Sequence, residues 1–508
     1  MNEIFQNIVI LQKTTKPWEE KVFDAIPSLD KFSSAPLKKI LSAADERCET
    51  IVVEDEYVDE DYIDSYSNYY SMLFADYRSK CVRLHFFSTK ITYDDLVDLS
   101  IHQPNYFGFC ILRPTLSFQV SRTILRPFHN ESGSCFTLCQ AQFEVNLSGN
   151  KLRVSGAPYI QQDTNVNVCA QASIWMSCLY MHNKFATPRL LPSQINELIE
   201  KCFSLGSVRE GLNPLQVVIA LREIGFEPHY FPRWSKDGDP ASIAKLIYGY
   251  AESEMPVILA LQTPRGGHAV TVVGHDFNVR DSFDHSCDSN LNWIDNFYIN
   301  DDAQGPYLKI GINNKGSGPG DSGYSVKDNV VGAIIPTPKE IKMRLDDVYM
   351  HIKVLMSGPD LLNEVLRVFK GIKADMMFQT DDFKDLIFRT FLVKSNDFKV
   401  SLPNSQDYSA MRMLYRSTRM PKYIWLSEIS TPDLINNTDS GQRKRLGEVI
   451  LDSTADRHSY LTSYLAIHFK GRLVLKKAGT DRPFHFFFDP NEQPCPHLVR
   501  DVECCSVQ

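Results

Sequence analysis

The sequence predicts an α+β protein, and three observations carry that reading. Between about residues 157 and 336, helix patterns are gathered in the first half and strand patterns in the second, with no alternation of the two. The stretches on either side also mix apolar residues at helical spacing with β-branched and aromatic runs bounded by turn residues. The 508 residues are 43% hydrophobic and 23% charged, an ordinary globular mixture. At about 100–200 residues per domain such a chain suggests two to four domains. We read three regions, 1–156, 157–336 and 337–508, with no internal repeat.

In the first region, VVEDEYVDEDYIDSYSNYYSMLF is acidic and rich in tyrosine, and reads as a solvated loop leading into a helix. A docking surface for a basic partner is the alternative. CVRLHFFS, YFGFCILRP, FTLCQAQFEVNL and KLRVSG read as strands. The middle region opens on a polar loop, APYIQQDTNVNV. A buried helix, CAQASIWMSCLYMHN, follows, then amphipathic helices in SQINELIEKCF, NPLQVVIALREIG and PASIAKLIYGYAES. Strands are expected in PVILALQ, HAVTVVGHDF, NFYIN, YLKIGI and VVGAIIP, and the polar segment NVRDSFDHSCDSNLN reads as a hairpin loop. In the last region KEIKMRLDDVYMHIKVLM and DLLNEVLRVFKGI read as helices. KYIWLSEIS, KRLGEVILDST, SYLAIHFKGRLVLKK and PFHFFF read as strands, and the tail CPHLVRDVECCSVQ as loosely held.

Composition excludes some classes of function. A net charge of −8 carries no electrostatic footprint for nucleic acid. The first residues lack a basic segment followed by an apolar run, and no stretch of about 18 apolar residues occurs, so neither a secretory signal nor membrane insertion is expected. Twelve cysteines in such a chain fit free thiols in a reducing, cytoplasmic compartment.

The chemistry concentrates in the middle region. Cys169 ends a polar loop and opens an apolar helix, where the helix dipole and free N–H groups favour the thiolate, the reactive form. His268 follows Gly266 and Gly267 at the start of a strand. The glycines would let the backbone pass close to the cysteine helix, and the imidazole could take the thiol proton. Asp301, at the end of the next strand, could accept from the imidazole and fix its tautomer. Asn300 and Asp302 compete for that role, although alternation along a strand turns Asn300 away from whatever Asp301 faces. Gln161 or Gln162, in the loop before the cysteine, could aim an amide N–H at a developing oxyanion alongside the backbone N–H of Cys169.

These pieces resemble the papain-like peptidases that remove double-glycine leader peptides from bacteriocins. The resemblance rests on QQDTNVNVCAQAS, GLNPLQVVIALREIGFEP, MPVILALQ, GGHAVTVVGHD and YINDDAQGPY, in the family's order, and covers about a third of the chain. It implies a papain-like catalytic domain at 157–336, a helical subdomain plus an antiparallel sheet. Cys169 would be the nucleophile, His268 the base, Asp301 its orienting acid and Gln162 the oxyanion donor. The family carries its glutamine six residues before the cysteine, where this chain has Asp163, so Gln162 requires a loop one residue longer. Ala170 stands where the family often has glycine.

The reaction implied is hydrolysis of a peptide or isopeptide bond in a protein substrate through a thioester, needing no metal and no organic cofactor. An acyl transferase, transglutaminase-like or deamidase enzyme with the same triad is the alternative, as is an inactive binding module. The size of the flanking regions suggests that they select the substrate or hold the cleft shut until a regulatory protein partner binds. Other signals are set aside. Cys135 and Cys139 lack further ligands at metal spacing, and LSGNKLRVSG lacks a phosphate-loop pattern. Cys178 and Trp175 read as core. His275, seven residues beyond His268, is placed by odd spacing on the opposite face of the strand.

Overall fold

A computed structural model describes residues 7–26, 34–115, 119–127, 135–163, 169–203, 211–233, 240–278, 280, 291–318, 320–357, 386–436, 443–456, 463–469, 471–476, 483–488 and 497–499. Helices and mainly antiparallel sheets are mixed, as α+β requires, with 34% helix and 36% strand.

Three sheets organise the described residues. The first has seven strands in the order Ile8–Gln12, Thr50–Tyr57, Cys81–Phe87, Tyr106–Leu112, Val120–Leu125, Asn150–Tyr159 and Ala141–Leu147. The second runs Asp321–Ser325, Gly305–Gly311, Asn296–Asp301, Gly266–Phe277, Val257–Thr263, Val330–Ile335 and His229–Pro232. The third has six strands, from Ile387–Lys394 and Tyr423–Ser430 through to the edge strand Pro483–Phe487.

The sheets do not follow the sequence regions strictly. FTLCQAQFEVNL is two strands rather than one. Cys135–Leu138 pairs with the far end of Gly266–Phe277 in the second sheet, while Ala141–Leu147 pairs with Asn150–Tyr159 in the first. The first sheet also extends past residue 156, since Ala157, Pro158 and Tyr159 pair with Leu125, Ile124 and Thr123.

The helix Cys169–Phe185 packs on the second sheet, and every residue from Ala170 to Met181 is buried. A helix apolar all round belongs in an interior. Trp175 does pack there, and its indole N–H donates to Asp61 at 3.2 Å. That bond corrects the reading of the acidic stretch. Thr50–Tyr57 is a strand and Glu60–Asn68 a helix, and Asp59 and Asp61 are buried rather than solvated. Arg122 lies 2.6 Å from Asp59 and Arg189 2.6 Å from Asp61, so these acids are spent on internal pairing.

Two expectations in the last region also change. The helix begins at Leu345, not near Lys339, because the backbone N–H groups of Lys342 and Met343 both donate to Ser453 and the Met343 carbonyl accepts from Trp425. The tail is held at Val499, whose N–H donates to Glu428 at 2.6 Å. The expected helix in DLLNEVLRVFKGI lies outside the described residues.

A buried ionic network joins the second and third sheets. His275 lies 2.9 Å from Glu252, and Glu252 also pairs with Arg389. Arg389 continues to Glu428 at 2.9 Å, and Arg445 links Glu428 to Glu448. Burial pushes the Glu252 carboxyl up, but Arg389 and His275 outweigh it and hold it at about 2. Removing one member strands its partners' charges. Arg389→Met is therefore expected to cost about 3–5 kcal/mol in denaturant unfolding.

Candidate active site

The site is assembled at the mouth of the helix Cys169–Phe185, where the strand Gly266–Phe277 begins and Asn296–Asp301 ends. Val257–Thr263 and Gly266–Phe277 form a hairpin closed by Pro264 and Arg265, with Leu261 opposite His268. Gly266 has φ +115°, a conformation this turn requires and L side chains rarely adopt. The expected second reason for glycine does not hold. Among the described residues a Cβ at Gly266 or Gly267 would meet nothing within 4 Å, so none of their backbone squeezes past these glycines.

His268, with its side chain 15% exposed, stands 3.2 Å through Nε2 from Asp301 Oδ1. Cys169 is among the groups that raise the His268 pKa. Burial pulls the imidazolium down. The hydrogen bond to Asp301 and the contribution of Cys169, with the charges of Asp301 and Asp302, outweigh it and push the group up to about 11. His268 therefore carries its charge at neutral pH. Tyr324 flanks the ring, with centroids 6.2 Å apart.

The three consecutive residues at the strand end take different directions. Asn300 turns away from His268, as alternation predicts. Its amide donates to Pro158 at 2.8 Å and its carbonyl accepts from the Tyr307 N–H at 3.0 Å. Asp301 accepts from the backbone N–H groups of Ala303 (2.9 Å) and Gln304 (3.1 Å), and from the Gln304 amide at 3.1 Å. Four donors, counting His268, hold that carboxylate. Asp302 is fully buried, and Oδ1 lies 3.8 Å from His268 Nε2, yet among the described residues neither of its carboxylate oxygens has a hydrogen-bond partner. Burial and the neighbouring Asp301 charge push its carboxyl up to about 7, against the opposing charge of His268.

The glutamine loop is pinned on both sides of Gln162. Gln161 is buried, its side-chain carbonyl accepting from the Val120 N–H at 3.1 Å and its backbone carbonyl from Arg113 at 3.0 Å. Asp163 is buried as well, accepting from Tyr70 and lying 3.7 Å from Arg113. Gln162 between them is only partly buried. Residues 164–168, which lead to Cys169, lie outside the described residues.

His275 departs from the expected opposite face. Val272 pairs with Ile299 and His275 with Phe297, with a register shift between Val272 and Gly274. The extra residue, Val273, resets the alternation and returns His275 to the face of Val272, where Glu252 meets it. Sequence reasoning also missed the supporting residues. Gln304 orients Asp301, the Tyr159 hydroxyl donates to the Asp302 carbonyl at 3.2 Å, and the charge of Asp301 is felt by Lys39, on a helix from the first region. No local pattern marks a tyrosine or lysine that reaches a site from another sheet.

Among the described residues, His268, Asp301 and Asp302 each offer a metal-ligating atom, and these lie within 4.8 Å of one another. Compared with known protein families and with curated proteins, the sequence matches none.

The raised Asp302 carboxyl carries a stability consequence. Its folded pKa of about 7 exceeds the ordinary 3.8, so its contribution is fully present below pH 3.8 and is lost as pH rises to 7. In metal-free protein, wild type should lose stability relative to Asp302→Asn by about 1.4 kcal/mol per pH unit across that window. Paired urea melts from pH 4 to 8 measure this, and a pH-independent difference contradicts it.

Proposed function

We propose that the chain is a papain-like cysteine peptidase that cleaves a peptide or isopeptide bond in a protein substrate. The observation that carries this is His268 set 3.2 Å from Asp301, with Cys169 among the groups that push the imidazolium up to about 11. An imidazolium beside the sulfur stabilises negative charge there, and the thiolate is the form that attacks a carbonyl. Cys169 adds to the scissile carbonyl, and His268 gives its proton to the leaving amine as the tetrahedral intermediate collapses to a thioester. Water, deprotonated by His268, then releases the acyl group.

Asp301, itself held by Ala303 and Gln304, keeps the ring in place and balances its charge through the cycle. Gln162 is favoured over Gln161 as oxyanion donor. Gln161 and Asp163 turn their side chains inward, and in an extended segment the residue between them points the other way. Among the described residues no helix is long and apolar enough to cross a membrane, and the twelve cysteines fit a cytoplasmic, reducing setting for the enzyme.

Thiol chemistry tests the proposal directly. Cys48, Cys110 and Cys178 are buried and pushed up to about 12 by that burial, which leaves them inert. Cys202 is partly exposed, as Cys169 is, and serves as the internal control. At pH 6.5, iodoacetamide should modify Cys169 faster than Cys202 by at least about tenfold. His268→Ala should abolish that preference, and in peptide-library cleavage followed by mass spectrometry it should lower the rate by about 10²–10⁴. Equal labelling of Cys169 and Cys202 would sink the reading. Loss of ammonia or incorporation of an amine, without chain cleavage, would move the same triad to deamidation or acyl transfer.

A further inference from the structure

The peptidase reading leaves Asp302 without a task, although its placement is demanding. Both carboxylate oxygens are buried and receive no hydrogen bond from the described residues, a costly state for an acid in a protein interior. Asp302 Oδ1 lies 3.8 Å from the Nε2 of His268, and that same nitrogen lies 3.2 Å from Asp301 Oδ1. Three donor atoms, one nitrogen and two oxygens from three residues, thus lie within 4.8 Å of one another.

The spacing fits an ion. A tetrahedral zinc ion with bonds of about 2.0–2.2 Å holds its ligand atoms about 3.3–3.5 Å apart. The two measured edges from His268, 3.2 and 3.8 Å, bracket that separation. Imidazole with carboxylate suits zinc and its neighbours, whereas calcium and magnesium demand six or more oxygen ligands. The charges also balance, since two carboxylates and a neutral imidazole neutralise a divalent ion. Asp301 is already oriented by the N–H groups of Ala303 and Gln304, the kind of outer support that ligating carboxylates have.

We propose that His268, Asp301 and Asp302 form a binding site for one divalent transition-metal ion such as zinc, a site that stands on geometry alone. The ion takes the Nε2 lone pair and displaces the hydrogen there to solvent, and Cys169 is not a ligand.

The full chain, stripped with a chelator, is titrated with Co²⁺ and then Zn²⁺. Expected is one equivalent of Co²⁺ with visible absorption of a tetrahedral N/O site, seen as the difference between wild type and His268→Ala and displaced by Zn²⁺. Asp302→Asn and Asp302→Ala, both checked for folding by circular dichroism, should weaken binding at least tenfold, while Cys169→Ala retains it. No binding beyond the His268→Ala baseline overturns the site, as does unchanged affinity in both Asp302 variants. A thiolate-to-cobalt band that disappears in Cys169→Ala overturns the geometry by making the sulfur a ligand. If metal-free Cys169 labels no faster than Cys202 while the ion still binds, the peptidase reading fails and the metal site stands.

Discussion

The strand end at Asn300, Asp301 and Asp302 is the constraint on which the site depends. One residue points back into the first sheet, one is fixed toward His268, and one is sealed in without a hydrogen-bond donor among the described residues. Asn300 reaches the Pro158 carbonyl, and Tyr307 both donates to the Leu125 carbonyl and accepts from the Ala157 N–H. The acid that faces His268 therefore cannot shift without breaking hydrogen bonds to a different sheet. A site whose parts must hold to within about half an ångström needs that kind of support, and here the first region supplies it.

The third region supports the site from the other direction. The network from His275 through Glu252 to Arg389 ties the far half of the histidine strand to the last sheet. Trp425 packs edge-on against Tyr250, and Ser253 accepts from the Leu392 N–H at 2.8 Å. The middle sheet is thus braced by both neighbours, through polar contacts that must be made correctly to avoid stranded charge. Such interfaces favour one arrangement over near alternatives more than they add raw stability.

Local pattern was a good guide to the secondary-structure elements that carry the candidate site. The helix at Cys169 was legible because its apolar run follows a polar loop. The strands at His268 and Asp301 were legible because β-branched runs end in turn residues. Where the reading failed, a tertiary contact had overruled a local preference. FTLCQAQFEVNL divides because two sheets compete for it, and the helix expected from Lys339 starts late because Ser453 and Trp425 take its backbone groups. His275 changed faces through a single extra residue in its strand, which no periodicity reveals.

By itself the sequence determined the α+β class, the places of the main helices and strands, and the candidacy of Cys169, His268 and Asp301, because propensity, periodicity and helix-end electrostatics are local properties of the chain. Only the tertiary structure decided that Gln161 is occupied by Val120, that the acids Asp59 and Asp61 face inward, and that Asp302 lies beside the same imidazole as Asp301. Those outcomes depend on contacts between residues scores of positions apart, whose geometry is set by how the sheets stack.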